Sequence, residues 1–349
     1  MTRERRKVAV LGATGAVGQR FVQLLAKHPW FELTEVAASD RSAGRLYGEA
    51  TRWLLPGGVP DEVAGRMVLP AEPSAVRSGL VFSALGSDVA GETEEAFRAA
   101  GRTVVSNAAN FRTHEDVPLV IPEVNPEHLA LVPSQRARHG GAIVTNPNCS
   151  TIGLCLALDP LKRAFGLKRV QVTTLQALSG AGYPGVSSMD ILGNVLPEIA
   201  GEEAKLGREP AKIFGTLAKA RVQPAELVVS AQCNRVAVRD GHLLSISVEL
   251  CRPVGVEEAA EVFLAYRSPL PGLNLPSAPE RPVLLNREFA RPQPVLDGDA
   301  CTGMAVTVGR LAPCSVLGLR FVALVHNTIR GAAGNTILIA ELMAERGLL

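Results

Sequence analysis

The feature that most restricts how this chain can fold is its opening junction, KVAVLGATGAVGQRFVQLLAKH, where an apolar run meets a glycine-rich turn and then a helix-periodic segment. KVAVLG reads as a buried strand. Gly15 to Lys27 reads as a helix with Val17, Phe21, Leu24 and Leu25 on one face. The alternation continues to about Asn148. ELTEVAAS, LVFSALG and TVVSNAA are further strands, and GETEEAFRAAG is a helix between the last two. Strands alternating with helices predict a parallel, doubly wound sheet.

After Pro160 the pattern changes. RVQVTTLQALS, ELVVSAQCNRVAV, LLSISVEL, TGMAVTVGRL and LGLRFVALV are longer strand-like runs with few helices between them, which predicts a second, α+β unit on a largely antiparallel or mixed sheet. Seven prolines from Pro269 to Pro294 mark an irregular excursion within it. The final segment, GAAGNTILIAELMAERG, reads as an amphipathic helix that returns to the first unit. The expected division is residues 1–149 plus the terminal helix 330–349, and residues 150–329.

Composition removes several functional classes. Thirty-six Lys and Arg against thirty-four Asp and Glu leave a formal charge of +2, too balanced and scattered for a nucleic-acid stripe, so small molecules are the expected partners. No apolar run approaches the roughly 20 residues that span a bilayer. MTRERRKVAVLG lacks the apolar core and cleavage site of a signal peptide, so a soluble, cytoplasmic protein without membrane contact is expected. The six cysteines show no Cys-x-x-Cys spacing, which argues against a disulfide framework or zinc site, and no metal is expected.

The turn GATGAVG follows a strand and opens a helix, the setting in which glycines let backbone approach a dinucleotide pyrophosphate at a helix N-terminus. Gly12, Thr14, Gly15, Ala16, Val17 and Gly18 are the expected contacts, and the first unit is read as Rossmann-type. Its Gly-x-x-Gly-x-x-Gly spacing departs from the commoner Gly-x-Gly-x-x-Gly. Beyond the second strand, SDRSAGR offers Ser39, Arg41 and Ser42, donors suited to a ribose 2′-phosphate, which favours NADP. Asp40 leaves NAD open.

Cys149, in TNPNCSTIGLCLAL, sits between a turn-forming stretch and an apolar helix that Pro160 is expected to end or kink. The first turn's unpaired N–H groups and dipole are expected to lower its thiol pKa and make it a nucleophile. Cys155, deep in the apolar run, reads as core, and Cys233, Cys251, Cys301 and Cys314 as packing residues. A nucleophilic thiol beside a nicotinamide is the equipment for interconverting an aldehyde and an activated acyl group through a thioester. Such chemistry needs an acid/base. His242, at a turn leading into a strand, is placed at an edge from which it reaches a cleft. His28, His114, His128 and His139 read as ordinary surface histidines, and His326 is ambiguous.

GATGAVGQ, SNAANFR, PNCST, LQALSGAGYPG, GEEAK and RVAVRDGH stand in an order and at spacings that resemble the aspartate-semialdehyde dehydrogenases of archaea and fungi, over nearly the whole chain. The resemblance implies a catalytic and dimerisation role for the second unit, NADP as cofactor, a homodimer or homotetramer, and reductive dephosphorylation of β-aspartyl phosphate. It makes Cys149 the nucleophile, His242 the acid/base, Gln176 the amide that positions the acyl group, and Arg235 the carboxylate holder. Glu202 becomes the partner of the substrate ammonium, with adjacent Glu203 as the other choice. Lys205, Arg112 and Asn110 become phosphate ligands. For the cofactor it adds Ser83, Leu85, Gly180, Gly182 and Asn327. Gly86 stands where the family often has proline, and so does Ala237. Two other readings share the scaffold: a malonyl-CoA reductase, and a non-catalytic NADP-binding redox sensor. N-acetylglutamyl-phosphate reductases are further relatives, but PNCST does not match the usual surroundings of their cysteine.

Overall fold

The computed structural model describes residues 4–218, 220–270 and 272–349, so Met1–Arg3 of the charged start and Pro271 of the proline-rich excursion lie outside the described residues. The opening run forms β1 (Arg6–Leu11), buried from Val8 onward, and the glycine turn leads into α1 (Ala16–Leu25). There follow β2 (Phe31–Ala38), β3 (Val68–Pro70), β4 (Leu80–Ser83), α2 (Ser87–Ala99), β5 (Thr103–Ser106), α3 (Val132–His139) and β6 (Ala142–Thr145). The six strands are parallel in the order β3-β2-β1-β4-β5-β6. The order reverses between β1 and β4, and ligands of such sheets bind outside the strand C-termini at that point.

The second unit begins with α4 (Cys149–Phe165) and β7 (Leu167–Gln176). Next come α5 (Glu202–Ile213), the small pair β8 (Thr216–Ala218) and β9 (Arg221–Gln223), β10 (Val228–Arg235), β11 (His242–Leu250), α6 (Val256–Ala265), β12 (Val283–Asn286), β13 (Val306–Cys314) and β14 (Gly318–Val325). Six of these strands make a mixed sheet in the order β10-β7-β11-β14-β13-β12. The alternating burial of β11 faces one side onto α4, where Ile152, Leu156, Leu244 and Ile246 share a core.

Three expectations change. α4 continues through Pro160 to Phe165, so of the two expected effects the helix does not end there; the residues from Ile152 to Leu161 are all buried and packing offsets the lost hydrogen bond. The last helix, α7 (Gly334–Glu345), is buried on all sides from Gly334 to Met343, so it is not amphipathic. Its Ile337, Leu338, Ile339 and Leu342 join Val8, Phe21 and Phe82 in the core of the first sheet, each worth about 1.5–3 kcal/mol when withdrawn from water. The third concerns the excursion, which supplies β12 to the second sheet and Leu270 and Leu275 to the first core.

Candidate active site

At the first sheet's switch point, Gly12 has φ +69°, and a Cβ there would lie 2.7 Å from the Ala84 carbonyl oxygen at the end of β4. A Cβ on Gly18 would meet the Gly12 carbonyl at 2.1 Å, so only glycine lets α1 pack this closely on its own turn. Gly15 opens α1 without any side-chain cap. Among the described residues the N–H groups of that first turn therefore have no side-chain acceptor, and they suit an anion. Ser83 ends β4 and is fully buried. Leu85 follows it, partly buried. Thr14 gives its carbonyl to Gln19. Ser39, Arg41 and Ser42 form a tight turn after β2, with the Ser39 carbonyl accepting from Ser42 N–H at 2.8 Å. These features fit a dinucleotide with its ribose at that turn.

A cleft of about 420 Å³ joins this region to the second unit, lined among others by Ala16, Arg20, Ser179, Gly182, Tyr183 and Thr328. A larger groove of about 600 Å³ lies on the second sheet around Phe289, Arg310 and Arg320, and no candidate site residue lines it.

Cys149 is the first residue of α4 and is partly exposed. Asn148 caps the helix, its Oδ1 accepting from Ser150 N–H at 3.0 Å and Thr151 N–H at 3.2 Å. Around it stand the ends of three elements. Gln176 closes β7 and Glu202 opens α5, with Gln176 Nε2 donating to Glu202 Oε2 at 3.3 Å. Lys205 Nζ donates to Glu202 Oε1 at 2.7 Å. Glu203 turns away and accepts the Cys233 backbone N–H, leaving Glu202 as the carboxylate facing this group. Arg235, ending β10, is paired across the sheet with Gln176 and donates from Nη1 to the Ala177 carbonyl at 2.7 Å.

The expected depression of the Cys149 thiol is overturned. Burial and then the nearby Glu202 carboxylate push it up to about 12, and Arg112 and Arg235 offset only part of this. One helix terminus cannot outweigh lost solvent plus a like charge.

His242 begins β11, which lies between β7 and β14, so it is a central position and not an edge. Its Nδ1 accepts Ala177 N–H at 3.0 Å, so the neutral ring carries its proton on Nε2, and that atom is buried with no partner among the described residues. Burial, with Arg235 and His326 adding, pushes its pKa down to about 3. Gly180 lies over both groups: a Cβ there would be 2.9 Å from Arg235 Nη1 and 3.1 Å from His242 Nε2. Asn327 fastens this corner, accepting Gly241 N–H at 2.9 Å and donating to Ser179 Oγ at 2.8 Å.

Arg112 approaches indirectly, donating to Glu209 Oε1 at 3.0 Å and to the Asn107 carbonyl at 2.6 Å. Asn110 is not drawn into this network; its Nδ2 donates to the Ser87 carbonyl at 3.0 Å. Two of the histidines read as surface are buried: His28 bonds Glu341 at 2.7 Å, and His128 lies between Asn125 and the Gly215 carbonyl. Cys251 and Cys301, read as packing residues, are exposed. Among the described residues no group of three or more His, Cys, Asp or Glu could hold a metal.

Several residues of the site escaped the sequence reading. Asn148 carried a signal, an asparagine directly before a helix. Glu209 and Lys212 carried one too, since they continue the helical face of Glu202 and Lys205. Gly331 carried none: a Cβ there would lie 2.7 Å from Cys149 Cβ, a close approach set by the C-terminal chain.

Residues 7–132 match the family model described as semialdehyde dehydrogenase, NAD binding domain, and residues 158–330 that described as semialdehyde dehydrogenase, dimerisation domain. The aspartate-semialdehyde dehydrogenase of Archaeoglobus fulgidus is 50% identical over 99% of this chain and 100% of its own. That of Cryptococcus neoformans is 46% identical over 99% of each. A crystal structure of the Candida albicans enzyme with NADP superposes with a TM-score of 0.91 at 43% identity, over 99% of this chain and 100% of that one. The chain belongs to the aspartate-semialdehyde dehydrogenase family.

Proposed function

We propose that this chain catalyses the NADPH-dependent reductive dephosphorylation of L-aspartyl-4-phosphate to L-aspartate 4-semialdehyde through a thioester on Cys149. The observation that carries the reading is the convergence of a helix-opening cysteine with the buried carboxylate of Glu202, in a chain of this family. An amino-acid acyl phosphate has three groups to hold. Glu202 suits the ammonium, Arg235 the α-carboxylate by a two-pronged grip, and Arg112 with Lys205 the phosphate, with Asn110 as a further phosphate ligand. Gln176 orients the acyl group.

The glycine turn from Gly12 to Gly18, Ser83, Leu85, Gly180, Gly182 and Asn327 would hold the dinucleotide, with Ser39, Arg41 and Ser42 on the 2′-phosphate. When bound, NADPH supplies the hydride that reduces the acyl carbon. The remaining work falls to the protein. Arrival of the substrate ammonium offsets the charge of Glu202, the second of the two causes that hold Cys149 protonated, and the thiol proton passes to water at the partly exposed face. The sulfur attacks the acyl carbon, the Cys149 backbone N–H, which Asn148 does not take, stabilises the oxyanion, and phosphate departs toward Arg112 and Lys205. His242 Nε2–H donates to the reacting oxygen, and Cys149 Sγ is released as thiolate when the C–S bond breaks.

Cys149→Ala should abolish turnover and leave NADP binding intact; substantial residual activity overturns the assignment. NADPH oxidation with β-aspartyl phosphate, malonyl-CoA and N-acetylglutamyl phosphate, measured side by side, tests the substrate. The comparisons lend no support to the malonyl-CoA or sensor readings.

We assign residues 1–149 and 330–349 to dinucleotide binding and 150–329 to catalysis and pairing. The dimerisation match and the exposed Phe289 beside the sheet groove support an oligomer. A homodimer or homotetramer in the cytoplasm is our reading, and sedimentation distinguishes the two assemblies. Among the described residues no helix is long and apolar enough to cross a membrane.

A further inference from the structure

Glu209 stands outside every motif discussed above, yet its buried carboxylate bonds both the cap of the helix that begins with Cys149 and the guanidinium of Arg112. Oε2 accepts the backbone N–H of Asn148 at 2.7 Å, and Oε1 accepts Arg112 Nη1 at 3.0 Å. In an ordinary capping box the third helical residue returns a carboxylate to the cap's own N–H. In α4 that residue is Thr151, whose hydroxyl has no partner among the described residues, and the missing half arrives from another helix as Glu209.

The same helix supplies more. Glu202, Lys205, Glu209 and Lys212 recur along one face of α5. Lys212 Nζ donates to the carbonyls of Arg112, His114 and Val117 at 2.7, 2.6 and 2.8 Å. This face therefore holds the loop behind Arg112 by its backbone and the guanidinium by its charge. Arg112 Nε remains buried with no partner among the described residues.

We propose that Glu209 is a positioning residue: it fixes the guanidinium of Arg112, and so the phosphate it meets, in the same frame as the helix that begins with Cys149. An unrestrained arginine samples many rotamers, whereas transfer to sulfur needs the phosphate at a set distance and direction. A single carboxylate bonded to both Asn148 and Arg112 supplies that constraint. The inference rests on reading Arg112 as a phosphate ligand.

The test is steady-state kinetics in the oxidative direction, with aspartate semialdehyde, NADP and inorganic phosphate. In Glu209→Gln the amide oxygen still accepts Asn148 N–H, but its NH₂ faces Arg112 and releases it. The KM for phosphate should rise about 10- to 100-fold while that for NADP stays within about twofold. Glu209→Asp, charged but one methylene shorter, should fall between, and it carries the comparison should the glutamine variant not fold. Added to Arg112→Gln, Glu209→Gln should cost less than about twofold more, because its effect passes through that guanidinium. An unchanged phosphate KM in Glu209→Gln, or independent multiplication of the two effects, overturns the proposal while Arg112→Gln remains impaired. An Arg112→Gln variant with normal phosphate KM removes the underlying reading, and the proposal falls with it.

Discussion

Asn148 Nδ2 donates to both carboxylate oxygens of Glu202, at 3.1 and 2.9 Å, one residue before the cysteine. Burial opposes ionisation of Glu202, but Lys205, Asn148 and Gln176 together hold its carboxyl below the usual range. A charged carboxylate is thus fixed next to a thiol that it helps keep protonated. Glu202→Gln should make Cys149 alkylate faster at pH 8, by about tenfold, while turnover falls. Iodoacetamide labelling followed by mass spectrometry reads this directly, and labelling no faster than in the unmodified protein contradicts it.

His242 ties stability to acid pH. Its folded pKa of about 3 lies below its ordinary value of about 6.5, so between these limits the unfolded chain binds a proton that the folded chain refuses. The stability linked to the neutral ring is therefore complete above about pH 6.5 and is lost as pH falls toward 3, a change on the order of a few kcal/mol. Burial also pushes His128 and His326 down, but a His242→Asn variant keeps both. Urea unfolding from pH 6.5 to 4 should show a shallower loss in that variant, and parallel curves would refute the linkage.

Gly180 has no room for a methyl group between the groups it covers. Gly180→Ala should displace Arg235 and His242 and lower kcat/KM about 10- to 100-fold, the penalty for misplacing reacting groups by about 1 Å. The melting temperature should move little, since Gly180 lies at the surface. Full activity in this variant would mean that the Ser179–Gly182 turn is free to yield.

Arg41 is exposed on the turn that follows β2. Arg41→Asp should reduce the preference for NADP over NAD by about tenfold, because the new carboxylate repels a 2′-phosphate and accepts from a 2′-hydroxyl. Side-by-side kcat/KM values for the two dinucleotides decide the matter.

Much of this arrangement was legible in the chain because it depends on local pattern. The strand, glycine turn and helix at residues 6–25 follow from apolar periodicity and from glycines that alone tolerate the turn. The position of Cys149 at a helix start follows from TNPN before an apolar run. That the helix runs on past Pro160 was not legible, because a rule about isolated helices gives way where the residues from Ile152 to Leu161 are all buried by packing.

The sequence by itself determined which residue types stand at which ends of which elements: the glycine turn, the cysteine, the histidine and the helix carrying GEEAK. Only the tertiary structure decided their chemical state. Whether a thiol is held protonated, which nitrogen of an imidazole carries the proton, and which of two adjacent glutamates faces the site depend on solvent exclusion and on charges brought from distant segments. Local sequence does not encode those distances, because they arise when two sheets and a returning terminal helix pack together.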